Sequence, residues 1–205
     1  RHGETTSNRD QVIQGPRIDA SLSELGRRQA HAVAEALAGE RLDALYTSPM
    51  ARARETAQAL AEHRAASRLA VQVVPELYEM DYGLFAGRTY DDVRDEMDQV
   101  LDAWRLGFVD QSFPGGESAI LAQHRVRPFA LRLRTQAESE TLAVVAHGRI
   151  NRVLAATLTG AGLQRLEEFP QSNAAITELE VASGRVRLVR LNDTRHLDEA
   201  NEAFS

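Results

Sequence analysis

Apolar residues follow two rhythms along this chain, and the rhythms alternate. From Glu24 to Leu37 they recur at helical spacing behind Ser23, whose hydroxyl can take the first free amide of a helix, and Gly39 stands where a left-handed residue could close it. Leu42 to Thr47 reads as a short strand. Ser48-Pro49 predicts an N-cap followed by Pro at the first helical position, opening a helix to about His63. Val71, Val73 and Val74 mark another strand. Between Thr89 and Trp104, Tyr90, Val93, Met97, Val100 and Leu101 lie near helical spacing, while Asp91, Asp92, Asp95, Glu96 and Asp98 supply a solvated face. A longer helix is predicted from Ser118 to about Glu138. Thr141 to Ala146 is a continuous apolar run of the kind buried on both faces of a parallel sheet, and it leads through His147-Gly148 into a helix from Ile150 to Thr159. Ala174 to Val181 and Arg185 to Leu191 read as a hairpin around Ser183-Gly184. With no repeat or linker-like stretch, one α/β domain over residues 1–205 is expected: a mostly parallel sheet, helices on both sides, and an antiparallel pair near the end.

Composition narrows the chemistry. The 205 residues are 43% hydrophobic, enough for a substantial core, yet include no Cys and no Lys, so all 24 residues of the Lys+Arg total are Arg. Without Cys there is no thiolate nucleophile and no Cys-ligated zinc. Without Lys there is no Schiff base and no phosphate-loop lysine. Anion chemistry must fall to Arg, His and backbone amides. A net charge of -6 argues against nucleic-acid or anionic-membrane partners. The longest aliphatic run, Leu142 to Ala146, is far below the ~20 residues of a membrane span, so a cytoplasmic location is expected.

In open sheets, ligands bind beyond the carboxyl ends of the strands. His147 follows the most apolar strand directly, and His2 stands beside Arg1. Each is followed by Gly, at a turn where backbone can approach a ligand closely. His31, His63 and His124 fall within predicted helices, where solvated or packed roles are the default.

Arg1-His2-Gly3-Glu4-Thr5 with Asn8 resembles the opening of the histidine phosphatase superfamily, the phosphoglycerate-mutase-like fold, in the pattern Arg-His-Gly-x-Thr-x-x-Asn. Leu25-Gly26 with Gln29-Ala30 resembles the family's first helix, and Ser48-Pro49-Met50-Ala51-Arg52-Ala53 with Thr56-Ala57 its second. Glu79-Met80-Asp81-Tyr82-Gly83 with Gly87 is similar to its proton-donor segment, and Pro114-Gly115-Gly116-Glu117-Ser118 to the segment before its long helix. Val144-Val145-Ala146-His147-Gly148 resembles the stretch with the second catalytic His. Asn192-Asp193-Thr194 with His196-Leu197 resembles a terminal motif of many phosphatase members. The segments run in the family's order along nearly the whole chain.

The resemblance implies a three-layer α/β/α fold and a metal-independent phosphomonoester hydrolase acting through a phosphohistidine on a small phosphorylated metabolite. It implies His2 as nucleophile, Glu79 as acid and base, and Arg1, Arg52, His147 and Gly148 around the phosphoryl group, with Asn8 supporting the pocket. Gln14, Gly15 and Arg88 are the candidates for contact with the rest of the substrate, under a covering segment at about 85–115 that holds Trp104, Arg105 and Phe108. No metal and no cofactor is implied; a second copy of the chain, in a homodimer, is compatible with it. In the family the Arg-His-Gly turn follows a central strand, so a strand upstream of Arg1 is also implied.

The assignment is chemically coherent. A phosphomonoester brings about two negative charges, which guanidinium forks meet with paired hydrogen bonds. Two nearby cations favour a neutral His2, whose free ring nitrogen can attack phosphorus in line. The leaving alkoxide needs a proton from the far side of phosphorus, and the carboxyl that gives it can then take one from water. His147, if protonated, would add a third positive donor. The compact length, the Glu-Met-Asp-Tyr-Gly form and Ser7 before Asn8 resemble the phosphatase branch more than the mutases. Mutase-type phosphoryl transfer is the alternative, and a non-catalytic phosphate-binding relative a third reading.

Overall fold

The computed structural model describes residues 1–64 and 69–197. Its elements run α1 (Thr6–Arg9), α2 (Glu24–Ala36), β1 (Ala44–Thr47), α3 (Ala51–His63), β2 (Val71–Val73), α4 (Arg94–Arg105), α5 (Ala119–Gln136), β3 (Leu142–Val145), α6 (Gly148–Thr159), β4 (Ile176–Ala182) and β5 (Arg185–Asp193). Short 3-10 segments intervene, at Gly83–Phe85 and Leu163–Glu168 among others. The α/β class, the parallel sheet and the late hairpin are as expected.

β1 lies in the middle, parallel to β2 on one side and to β3 on the other. Successive side chains of a strand point to opposite faces, and β1 shows the consequence. Leu45 enters a cluster with Val33 and Ala34 of α2 and Ala53, Ala57 and Leu60 of α3. Ala44 and Tyr46 enter the larger core with α4, α5 and α6. The sheet is therefore covered on both faces, the three-layer arrangement. Tyr46 packs edge-on against Phe129, and its hydroxyl donates to Gln136 Oε1 at 2.7 Å, which ties strand to α5.

All four residues of β1 are buried, and in β3 Val145 is buried and Leu142, Ala143 and Val144 are half-buried. Two local expectations are corrected. Gly39 does not close α2: the helix ends at Leu37 (φ -96°), and successive tight turns take up its last carbonyls. α3 opens at Ala51 with Met50 before it, and its first amide is taken by Asp19 Oδ1 at 2.7 Å, so Ser48 is not its cap. The tertiary partner Asp19 supplants the local one, which releases the Ser48 hydroxyl. The hairpin turn has Ser183 and Gly184 both at positive φ, 52° and 73°, as a two-residue turn matched to strand twist requires. Among the described residues, no helix is long and apolar enough to cross a membrane.

Candidate active site

The two imidazoles, 145 positions apart in sequence, meet through backbone pairing. The His2 amide donates to Ala146 O at 3.0 Å, and the Ala174 amide donates to His2 O at 3.0 Å. His2 is thereby bracketed between the end of β3 and the approach to β4, while His147 emerges directly after β3. The rings lie with centroids 5.1 Å apart and planes at 63°, both fully buried. The turn is seated on α2 by a glycine pair: a Cβ on Gly26 would lie 1.9 Å from Glu4 O, and one on Gly3 would lie 2.4 Å from Gly26 O. Only glycines permit that approach.

His2 Nδ1 lies 2.6 Å from Gly3 O, and a carbonyl can only accept, so Nδ1 carries the proton and Nε2 keeps its lone pair. His147 Nε2 lies 2.7 Å from Ser48 Oγ, and its Nδ1 is buried without a partner. Burial pushes both rings well below the ordinary imidazole range. The charges of Arg1 and Arg52 add to the effect at His2, and His2, Arg52 and Arg1 add to it at His147. Both shifts favour the neutral imidazole over the imidazolium.

Arg1 and Arg52 are posed by carbonyls. Arg1 Nη1 donates to Gln171 O at 2.7 Å, and a Cβ on Gly148 would lie 3.5 Å from the Arg1 guanidinium carbon. Arg52, 1% exposed, donates from Nη1 to Ile18 O at 3.1 Å and from Nη2 to Gly15 O at 3.2 Å. The Nε of each is buried without a hydrogen-bond partner. Burial lowers both guanidinium pKa values, and Glu79 is the leading countercharge.

Glu79 is 8% exposed and sits at the start of α6. Its Oε1 accepts from Met80 N at 2.9 Å and Ile150 N at 3.0 Å, and Oε2 from Arg149 N at 3.2 Å. The carboxylate thus caps amides that the helix leaves free, at its positive end. Arg125 of α5 fixes the segment: it donates to Tyr78 O at 3.0 Å and pairs with Glu117, whose Oε2 in turn accepts from Asp81 N at 2.9 Å. Tyr82, raised to about 12 by burial and then by Glu79, is bonded to Arg149 and lies within charge reach of Arg1 and Arg52. Glu167 pairs with both Arg149 and Arg152.

The other sequence candidates fall into two groups. Asn8 Oδ1 accepts from Thr5 N and Thr5 Oγ1 at 3.1 Å each and from Asn173 Nδ2 at 3.1 Å, so that oxygen holds the opening loop. Gln14 Nε2 donates to Thr5 Oγ1 at 2.9 Å while its Oε1 is buried without a partner, and Gly15 holds Arg52. Gly148 is the first residue of α6, against Arg1. Arg88 stands apart: it is exposed and donates to Asp92 O at 2.7 Å. The site also contains residues that sequence reasoning missed. Ser48 looked like a cap, Gln171 and Asn173 lie in a stretch without a motif, and Arg149 was signalled only by standing two residues after His147.

Comparison with known proteins gives the family and the structural relatives of the chain. The family described as histidine phosphatase superfamily (branch 1) matches residues 1–194. Phosphoserine phosphatase 1 of Hydrogenobacter thermophilus is 31% identical over 199 residues, 97% of this chain and 92% of that protein. A 2,3-bisphosphoglycerate-dependent phosphoglycerate mutase of Bartonella henselae is 33% identical over 175 residues, 81% of this chain and 82% of the mutase. A solved mycobacterial glucosyl-3-phosphoglycerate phosphatase in complex with VO3 superposes with a TM-score of 0.83 at 31% identity, covering 95% of this chain and 96% of that one.

Proposed function

This chain belongs to branch 1 of the histidine phosphatase superfamily, and within that family we propose a division of labour for its hydrolysis of phosphoric monoesters. His2 Nε2 attacks phosphorus in line, with Nδ1–H anchored on Gly3 O, and a phosphohistidine forms as the ester oxygen leaves. Glu79 gives the leaving oxygen its proton, then takes one from the water that releases phosphate. The guanidinium groups of Arg1 and Arg52, His147 and the Gly148 turn hold the equatorial oxygens, where charge is met by preorganised donors. Asn8 keeps the Arg-His-Gly turn in place. The observation that carries this reading is the pair of buried imidazoles 5.1 Å apart beside two arginines whose Nε atoms have no partner.

The substrate is a small phosphorylated metabolite, and the names of the phosphatase relatives support that class. Gln14, with its unpartnered Oε1, and Gly15 flank the leaving group, with Arg88 at the outer rim. The segment at about 85–115 covers the site: Phe113 packs 5.1 Å from Tyr82, and Phe108 of the same segment is 63% exposed. The reading needs no metal or cofactor, nucleic acid or membrane, and it places the enzyme in the cytoplasm, as one domain over residues 1–205. Hydrolysis of a generic phosphomonoester by wild type and His2→Ala, with trapping of an acid-labile, base-stable phosphoenzyme, tests it. Loss of both activity and trapped label in His2→Ala is expected, and full activity would defeat the nucleophile assignment. The likeness to a mutase supports one alternative, phosphoryl return to a reoriented product. Isomerisation of a phosphoglycerate faster than phosphate release would favour it.

A further inference from the structure

Among the described residues, the side chain bonded to His147 is that of Ser48, which is fully buried. A serine hydroxyl has one proton to give and two lone pairs to receive. The Met50 amide already donates to Ser48 Oγ, at 3.3 Å. Two arrangements of the 2.7 Å contact to His147 Nε2 are then conceivable. If Nε2–H donated to Oγ, the hydroxyl proton would need another acceptor in this buried place, and Nδ1 would turn a lone pair toward the space where an anion must sit. If the hydroxyl donates to Nε2, every group at Ser48 is satisfied, and the unpartnered Nδ1 carries a proton.

We propose that Ser48 donates its proton to Nε2 of His147 and so holds this ring in the Nδ1–H tautomer, making a neutral imidazole a hydrogen-bond donor to the phosphoryl group. The second half of this statement rests on the functional reading above; the tautomer does not. His2 and His147 then form a complementary pair. Gly3 O leaves His2 with a bare Nε2, fit to attack, and Ser48 leaves His147 with a protonated Nδ1, fit to bind. The arrangement suits a cup in which burial, His2, Arg52 and Arg1 all oppose an imidazolium. Ser48 is thus a positioning residue that acts through His147, and α3 can spare its hydroxyl because Asp19 supplies the cap.

The test is nitrogen-15 histidine NMR on the ligand-free protein near neutral pH, with His147 assigned by its absence in His147→Asn. Wild type is expected to show His147 protonated at Nδ1 and bare at Nε2. Ser48→Ala should move the proton to Nε2 wholly or in part and lower kcat by about 10- to 100-fold, somewhat less than removing an oxyanion donor outright. Ser48→Thr, which keeps the hydroxyl, should restore the wild-type tautomer and most of kcat. Wild-type His147 protonated at Nε2 would overturn the proposal, as would a Ser48→Ala protein with both spectrum and kcat unchanged. The proposed tautomer in a wild-type protein without phosphatase activity would overturn the functional reading, and with it the role toward phosphate, while the spectrum upholds the Ser48 bond.

Discussion

Glu79→Gln tests apart the structural contacts of this carboxylate and the acid–base role proposed for it. In the native protein its two oxygens receive three backbone amides, from Met80, Ile150 and Arg149. A glutamine offers one oxygen and one NH2, and an NH2 facing an amide N–H is a donor meeting a donor. With Oε1 kept on Met80 and Ile150, the Arg149 amide at the start of α6 is orphaned. Leaving a buried donor unpaired costs about 1–3 kcal/mol, which for a chain of this size lowers Tm by about 2–12 °C. The fold survives, and the chemistry can be read. General acid–base catalysis contributes about 10²–10⁴-fold, but the need for an acid depends on the leaving group. An alkyl phosphate releases a strongly basic alkoxide and should lose that whole factor in the first step. A nitrophenyl phosphate releases a weakly basic phenolate and should phosphorylate His2 at nearly the wild-type rate. Only hydrolysis of its phosphohistidine, which still needs a base, should slow. Rapid-mixing kinetics should therefore show a burst of nitrophenol equal to the enzyme concentration followed by slow turnover, and no burst with the alkyl ester. Equal slowing of the first step for both substrates would refute the acid role, and an unchanged Tm would refute the capping of α6.

Two further outcomes test how the site is built. Because His2 and His147 have folded pKa values well below the ordinary 6.5, the unfolded chain binds more protons than the folded one between those depressed values and 6.5. Stability should thus rise with pH across that window and level off above it, each ring contributing about 1.4 kcal/mol per pH unit. Urea unfolding at several pH values should show His147→Asn losing one ring's share of the slope, and an unaltered slope would count against the buried neutral ring. Gly26→Ala places a methyl where Glu4 O stands 1.9 Å away, so the Arg-His-Gly turn must shift. A loss of about 1–3 kcal/mol in stability is expected, with kcat/KM down about 100-fold although residue 26 touches no reacting group; a fully active variant would show that the turn tolerates displacement.

Much of the frame was legible because its causes are local. Ser23 caps α2 through Gly26 N as its position suggested, Ser183-Gly184 takes the positive φ pair of a hairpin turn, and the helical spacing around Met97 and Leu101 buries those side chains. The cap of α3 was not legible because it comes from Asp19, 32 positions before Ala51, and not from the adjacent Ser48.

The order of its motifs determined the family of this chain, its layered class, and the short set of residues able to handle a phosphate without Lys or Cys. Tertiary structure alone decided how those residues meet and which of their atoms are held. Backbone pairing across the ends of the chain brings His2 to His147, Gly3 O selects the proton position on His2, and the α6 amides hold Glu79. Proton positions and ring orientations depend on a single hydrogen-bond partner, and here those partners lie up to 99 residues away in sequence, as Ser48 does from His147, where no local pattern can announce them.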